Sequence, residues 1–554
     1  MEYSILKQIK YLSKYLKEHK KILIFSLVLT VISTGLGMIQ PFFAKIMIDD
    51  VLLGANQDIL IPVLGIMVFL LIFSFVIRVT NSYIYTRYSA KFLFKMRTDL
   101  FDHIHRLPLS FFVKTKIGDI FSRIATDMTD IQNLITATIP HYLFDFVTCI
   151  ITGVILFWLN WQMALMSICF LPAALYIVYR LRPGLFKLNK KVAETNADIG
   201  HFLFESLSSA SLIRSFGAEK FQSQKLEQKQ SHILRYILRY QIFGAIAGSV
   251  PTIFMILNTL IVFGYGGVLV MDHKLTIGSL VAFSIYQGRV FAPLQGLLDG
   301  FLSVQKAKVS LARVRELLDI QTENTENANI ILKEKDFRGE IVFKDVSFAY
   351  EKEKPVFNQI SFHIPCGKTT ALVGPSGAGK TTICHLILRL FDPNSGLITI
   401  DGIDLKKLKT GWLRKQIAIV SQDTFLFHTS IMENIRFSRH DATDQEIIEA
   451  AKAACIHEFI QSLANGYQTT VGERGVRLSG GQKQRISIAR SILTDPKILI
   501  LDEATAFLDT SAEDRLKKTI HSLMKNRTII VVSHRSSTIQ GADKTISLVK
   551  SPVK

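Results

Sequence analysis

Three short stretches of this 554-residue chain are equipped to do chemistry on a phosphate anhydride. The first is Gly374-Pro375-Ser376-Gly377-Ala378-Gly379-Lys380-Thr381. Its spaced glycines let successive backbone N–H groups curl around an anion, and a helix starting at once afterwards adds positive potential. Lys380 is expected to reach the β- and γ-phosphates and the Thr381 hydroxyl to ligate Mg²⁺. The nucleotide contacts expected here are Gly374, Ser376, Gly377, Gly379, Lys380, Thr381 and Thr382. The second stretch, Asp502-Glu503, ends the apolar run Ile498–Leu501. Asp502 is placed to hold Mg²⁺ through water, and Glu503 to polarise the attacking water as general base. The third is Leu478-Ser479-Gly480-Gly481-Gln482. It opens a second helix start suited to phosphate. One chain cannot easily aim two such starts at the same γ-phosphate, whereas two chains placed head-to-tail can.

These groups need elements to hold them. Thr370–Val373 is strand-like, Ile383–Leu390 is helix-like, Ile498–Leu501 reads as a buried strand and Lys483–Leu493 as a helix. A buried strand that delivers carboxylates at its C-terminal end suits a nucleotide site in an α/β sheet. That α/β patterning starts near residue 338. Before about residue 305 the chain is instead dominated by long apolar runs, and the whole is 49% hydrophobic. The reading is α plus α/β. A membrane domain at 22–318 is preceded by an interfacial helix at 1–21 and joined by a linker at 319–337 to a nucleotide-binding domain at 338–554.

A span needs about 20 mainly apolar residues. Six stretches qualify, near 22–48, 60–85, 136–159, 161–182, 244–271 and 276–301. Spans three and four turn at Asn160, flanked by Trp158 and Trp161 as interfacial aromatics. The formal charge of +19 does not point to nucleic acid, because of where the charge lies. Lys7, Lys10, Lys14, Lys17, Lys20 and Lys21 precede the first span, and no Lys or Arg lies between Lys45 and Arg78. That is the positive-inside pattern. Ile5, Ile9, Leu12 and Leu16 form one stripe of a helix lying on the cytoplasmic leaflet, not a cleavable signal. The long stretches 86–135 and 183–243 imply helices that continue below the bilayer, with tips near Lys116–Ser122 and Ser206–Ala218. Arg78, His141, Asp145, Gln287, Arg289 and Asp299 are polar groups in or near spans; they line a cavity or pair helix to helix. Pro41, Pro140, Pro251 and Pro293 are tolerated kinks. The cysteines, Cys149, Cys169, Cys366, Cys384 and Cys455, show no metal spacing and read as ordinary buried thiols.

The motif set resembles the ATP-binding cassette (ABC) family, in particular half-size exporters of the multidrug and lipid-A-flippase type. Six spans with long cytoplasmic extensions followed by one P-loop nucleotide-binding domain match that layout along essentially the whole chain. The resemblance implies that Ser479, Gly480 and Gly481 meet the γ-phosphate bound to a partner, with Gln482 among the nucleotide-binding residues. It implies that Tyr350 stacks on adenine, that Gln422 links Mg²⁺ and the lytic water to the membrane domain, and that His534 contacts the γ-phosphate. Glu473-Arg474-Gly475 resembles the exporter-type loop before the signature. Catalysis is thus expected from Glu503, His534 and Gln422, and Mg²⁺ ligation from Thr381, Gln422 and Asp502. Two departures stand out. Ala506-Phe507-Leu508-Asp509 replaces Ser-Ala-Leu-Asp, and Phe507 is expected to perturb communication between the two sites. The chain also ends soon after His534, where the family continues with another strand and a helical tail, so no C-terminal dimer clamp is expected.

The function implied is ATP-driven export by alternating access, with ATP and Mg²⁺ as cofactors. The partner is a second copy or a homologous half-transporter, with membrane lipid around it and a small amphipathic substrate inside. Lipid or lipid-linked cargo and peptides rank below amphiphiles, and an ATP-gated channel is the alternative of another class. The expected location is a bacterial inner membrane, with the N-terminus and ATPase domain cytoplasmic.

Overall fold

A computed structural model describes residues 20–323, 330–333, 335–351, 354–472, 475–504, 519, 526–533 and 541–549, with only the backbone at 23, 292–299 and 302. The expected interfacial helix, Glu473-Arg474, Ala506–Asp509 and His534 lie outside these residues, as do the side chains of Pro293 and Asp299. The chain divides into two compact units. One comprises Met1–His105 and Gly118–Ile320, the other Arg106–Ile117 and Gln321–Lys554.

The first unit is helical. Its long elements are α1 (Lys20–Ile46), α2 (Leu60–His105), α3 (Ile139–Leu159), α4 (Trp161–Ser208), α5 (Glu219–Met271) and α6 (Ile277–Leu318). Among the described residues five helices are long and apolar enough to cross a membrane: Lys20–Leu53, Gln57–His105, Ile117–Leu159, Trp161–Ser208 and Glu219–Met271. The sixth expected span lies in α6, a helix outside that set because Gln287 and Arg289 interrupt its apolar run. Along α2, Ile61, Phe69, Phe75 and their neighbours are exposed. Such a face is stable in lipid, where backbone hydrogen bonds are satisfied inside the helix and apolar side chains need no protein cover. Between α3 and α4, Asn160 adopts φ −162° and its side chain accepts from the Met163 N–H at 3.0 Å. This N-cap is the physical basis of the predicted turn.

The helices pack around Met38, Leu156, Met163, Val262, Leu280, Phe283 and Tyr286. A Cβ on Gly266 would press on the ends of the Leu280 and Met163 side chains, so the glycine eases the close packing of α5 with α6. The second of the two expected turns, between α4 and α5, falls where the sequence puts it, around the short helix Ala210–Ser215. The first does not. Ile117–Ser122 already begins the next run of helix, and the turn is the segment from Arg106 with its own helix Leu109–Lys114. Pro108, extended at φ −63° and ψ 148°, sets that break. The cysteines also differ from expectation. Cys384 is buried, but Cys169 and Cys366 are exposed, one on a membrane-helix face and one in the turn after a strand.

Among the described residues the second unit holds nine strands: β1 (Ile341–Glu351), β2 (Lys354–Ile364), β3 (Thr369–Val373), β4 (Ser395–Ile400), β5 (Ile403–Asp404), β6 (Ile417–Val420), β7 (Ile498–Asp502), β8 (Thr528–Val532) and β9 (Lys544–Ser547). An antiparallel sheet has the order β2-β1-β4-β5, and a parallel one the order β6-β7-β8-β3-β9. Strand β7 is buried at all five positions, as a parallel strand covered on both faces must be. Strand β9 pairs with β3 along Thr370–Val373. The strand that the chain was expected to lack after His534 is therefore present. Only four residues long, at the sheet edge, it carries too short a pattern to be read from sequence.

Candidate nucleotide site

The phosphate chemistry gathers at the C-terminal ends of the parallel strands. Strand β3 runs into the glycine loop, which turns through Gly377 at φ +79° and Gly379 at φ +85° before α7 (Lys380–Ile387) begins. A Cβ on Gly379 would run into the Phe357 ring, so this position admits only glycine. Ser376 lies within the loop, and Ala378 N–H donates to the Pro375 carbonyl at 3.1 Å. The Lys380 ammonium is folded onto its own loop, donating to the carbonyls of Gly374 at 2.8 Å and Pro375 at 3.1 Å. The lysine is thus buried and ready to exchange two weak acceptors for an anion.

Asp502 ends β7, next to that loop in space. Burial raises its carboxyl above the usual carboxylate range, while the hydroxyl of Thr381 hydrogen-bonds to it and pulls the other way. Thr381 and Asp502, both expected Mg²⁺ ligands, are therefore in contact. One carboxylate and one hydroxyl fit Mg²⁺, which keeps several waters and takes phosphate oxygens for the rest. Glu503 follows, in the left-handed region at φ +52°. Its N–H donates to Val532 O at 3.0 Å, its carbonyl accepts from Gln484 Nε2 at 3.2 Å, and its carboxylate accepts from Gln422 Nε2 at 2.9 Å. A non-glycine residue held at positive φ costs about 1–3 kcal/mol and persists where its surroundings over-determine it. Gln422 lies just beyond the end of β6, so neighbouring strands deliver both partners of that bond.

Tyr350 ends up against α7. Its hydroxyl donates to Thr382 Oγ1 at 3.1 Å, and its ring packs edge-on against Phe348 and Phe391. Thr382, expected at the nucleotide, is thereby engaged with the expected adenine platform. Burial pushes the Tyr350 hydroxyl up.

Ser479 is the N-cap of α8 (Gly480–Leu493). Its hydroxyl accepts from Gln482 N–H, and its N–H donates to Gln482 Oε1 at 2.8 Å, a capping box. Ser479 and Gly480 are exposed, and Gly481 is buried. Among the described residues, no hydrogen bond joins this turn to the glycine loop. The structure thus collects Lys380, Thr381, Asp502, Gln422 and Glu503, and leaves the Ser479 turn open. Two residues escaped the sequence reading. Gln484 is 1% exposed and supports Glu503 from α8; a glutamine on the buried face of a helix was the available signal. His385, on α7 and in the field of Asp502, is held below its ordinary pKa by burial.

In the first unit Arg78, Asp145 and Arg289 line one cavity of about 450 Å³, together with Met38, Phe75 and Phe144. His141 bonds Asp145 at 2.9 Å within α3, while Arg289 of α6 donates to Gly37 O of α1 at 2.7 Å, so Arg289 both pairs helices and lines the cavity. Gln287 is fully buried elsewhere in the packing.

Residues 23–294 match the family described as the ABC transporter transmembrane region, and residues 357–506 match the ABC transporter family. A putative multidrug export ATP-binding/permease protein of Bacillus subtilis is 36% identical over 545 residues, which cover 96% of this chain and 93% of that protein. An ATP-dependent lipid A-core flippase of Desulfotalea psychrophila is 33% identical, over 96% of this chain and 92% of its own length. The structure of a bacterial Atm1-family ABC exporter with ATP bound superposes with a TM-score of 0.83 at 26% identity, covering 96% of this chain and 94% of that one.

Proposed function

This chain belongs to the ABC transporter family, and from that premise we propose that it exports an amphipathic substrate by alternating access, as a dimer of half-transporters. It is an integral multi-pass membrane protein and an ATPase coupled to transport, with a domain of the kind that binds ATP, normally with Mg²⁺. One observation carries the reading. Loop, carboxylates and glutamine converge at the C-terminal ends of the parallel strands, while the capped Ser479 turn stays exposed and, among the described residues, unbonded to the glycine loop. A second copy supplies the missing face of each site. In the family half-transporters generally dimerise, and a homodimer suffices here because Glu503 and the signature are intact.

On nucleotide binding, Lys380 leaves the Gly374 and Pro375 carbonyls for the phosphates. Thr381 and Asp502 would hold Mg²⁺, which would supply positive charge to offset the phosphates. Glu503, positioned through Gln422, takes a proton from the attacking water as it approaches the γ-phosphate. His534 contacts that phosphate. Closing two such sites draws the ATPase units together and turns the membrane cavity outward; hydrolysis resets it. Helix α6 forms the sixth span and returns the chain to the cytoplasmic side, with the membrane unit ending near 318 and the ATPase domain beginning near 338. The membrane is a bacterial inner membrane.

The Glu503→Gln variant should bind ATP but turn over about 10²–10⁴ times more slowly, accumulating an ATP-bound dimer. Ordinary turnover would remove Glu503 as the base. For cargo, the cavity with Phe75 and Phe144 beside charged groups supports an amphiphile. Its two guanidiniums, from Arg78 and Arg289, favour lipid or lipid-linked cargo with an acidic head as the second reading. ATPase stimulation across drugs, lipids and peptides in nanodiscs decides between them.

A further inference from the structure

Two stretches of chain pass into the second unit directly from membrane-unit helices. Arg106–Ile117 follows α2, and the segment from Gln321 follows α6. The N–H of Glu323 donates to the Arg106 carbonyl at 2.8 Å, which ties these connecting segments to each other. The Glu323 carboxylate in turn receives Arg414 in a fork, with both N···O distances 3.1 Å. Arg414 also donates from Nε to the Leu388 carbonyl at 3.1 Å and from Nη2 to the Arg389 carbonyl at 2.7 Å. Leu388 is the C-cap of α7, the helix whose first residue is the phosphate-loop lysine.

Each link suits its place. The helix C-terminus leaves carbonyls unpaired and favours a cation. A guanidinium has enough donors in one plane to serve those carbonyls and a carboxylate together, which an ammonium cannot do in this geometry. The side chains of Arg414 and Glu323 are 32% and 27% exposed. A pair this open to solvent contributes only about 0–1 kcal/mol to stability. Its main consequence is therefore directional: whatever moves the end of α7 moves both connecting segments. Among the described residues, no hydrogen bond or ion pair joins either side chain to the glycine loop.

We propose that Glu323 and Arg414 are positioning residues that carry the nucleotide state of α7 to the two chain segments leading into the membrane helices. The inference rests on the alternating-access reading above.

The test uses the full chain in nanodiscs. Its tryptophans are Trp158, Trp161 and Trp412. With Trp412→Phe, intrinsic fluorescence reports the turn between α3 and α4 alone. The parent should change its signal when ATP and Mg²⁺ are added. Glu323→Ala and Arg414→Lys should cut that change about five-fold or more, with Glu323→Gln between them and the parent, while KM for ATP and Tm stay near the parent values. A purely structural pair would shift Tm and KM together. If Glu323→Ala fails to fold, Arg414→Lys and Glu323→Gln carry the test. Variants that keep the full signal overturn the coupling role alone. A parent that binds ATP without any signal overturns alternating access and the inference with it.

Discussion

At the scale of single residues, the site is a set of groups each held by something other than the nucleotide. Lys380 rests on two carbonyls of its own loop, so its loss costs little folding energy and removes the main cation for the phosphates. Lys380→Ala should abolish measurable hydrolysis while Tm falls little, which a paired ATPase and thermal-unfolding measurement checks. Gln484 is different, because its work is to hold the strained Glu503 backbone through the 3.2 Å bond to its carbonyl. Gln484→Ala leaves that carbonyl with one partner fewer, at a cost of about 1–3 kcal/mol. Turnover should fall about ten-fold or more with KM for ATP nearly constant, since each 1.36 kcal/mol is a factor of ten in rate. Asp502 sets a pH dependence. Its carboxyl is raised by burial, so it takes up a proton at higher pH than a free aspartate does. Protonation competes with Mg²⁺. The Mg²⁺ concentration needed for half-maximal activity should therefore rise on acidification, starting above the ordinary carboxylate range. Mg²⁺ titrations at a series of pH values read this directly.

Elements decide what those residues can reach. The start of α8 is closed by the Ser479–Gln482 capping box, and the same serine is the proposed contact to a partner's γ-phosphate. Aspartate is as good an N-cap as serine but brings a negative charge. Ser479→Asp should therefore keep Tm and lose ATPase activity, whereas Ser479→Ala should lose about 1 kcal/mol of cap stability as well. A variant whose activity tracks stability alone would confine Ser479 to capping. The glycine loop was readable from sequence because its eight residues are contiguous and their conformations are local. The turn after α2 was not. Apolar periodicity runs on through both sides of it, and only the Pro108 break and the packing of Arg106–Ile117 with the second unit place it upstream of the expected tip. Strand β9 was missed for a related reason: four edge residues take their register from β3 and show no alternation of their own.

For the whole molecule, the proposed head-to-tail dimer uses the exposed Ser479 turn to make each chain half of two sites. Lys380→Ala and Ser479→Asp chains should each be inactive alone. Mixed, they form dimers in which one intact loop faces one intact signature, and a fraction of ATPase activity should return. Failure of every mixing ratio to restore activity would count against the head-to-tail arrangement. The family, the two-part layout, the phosphate loop and the pair Asp502-Glu503 were all set by the sequence alone. They depend on residues adjacent in the chain and on apolar runs whose meaning does not change with packing. Tertiary structure alone decided that Gln422 meets Glu503, that Gln484 braces it, that Arg78, Asp145 and Arg289 share one cavity, and that Glu323 ties Arg414 to Arg106. These partners lie far apart in the chain. What brings them together is the parallel order β6-β7-β8-β3-β9 and the crossing of helices, and such packing leaves no local periodicity behind.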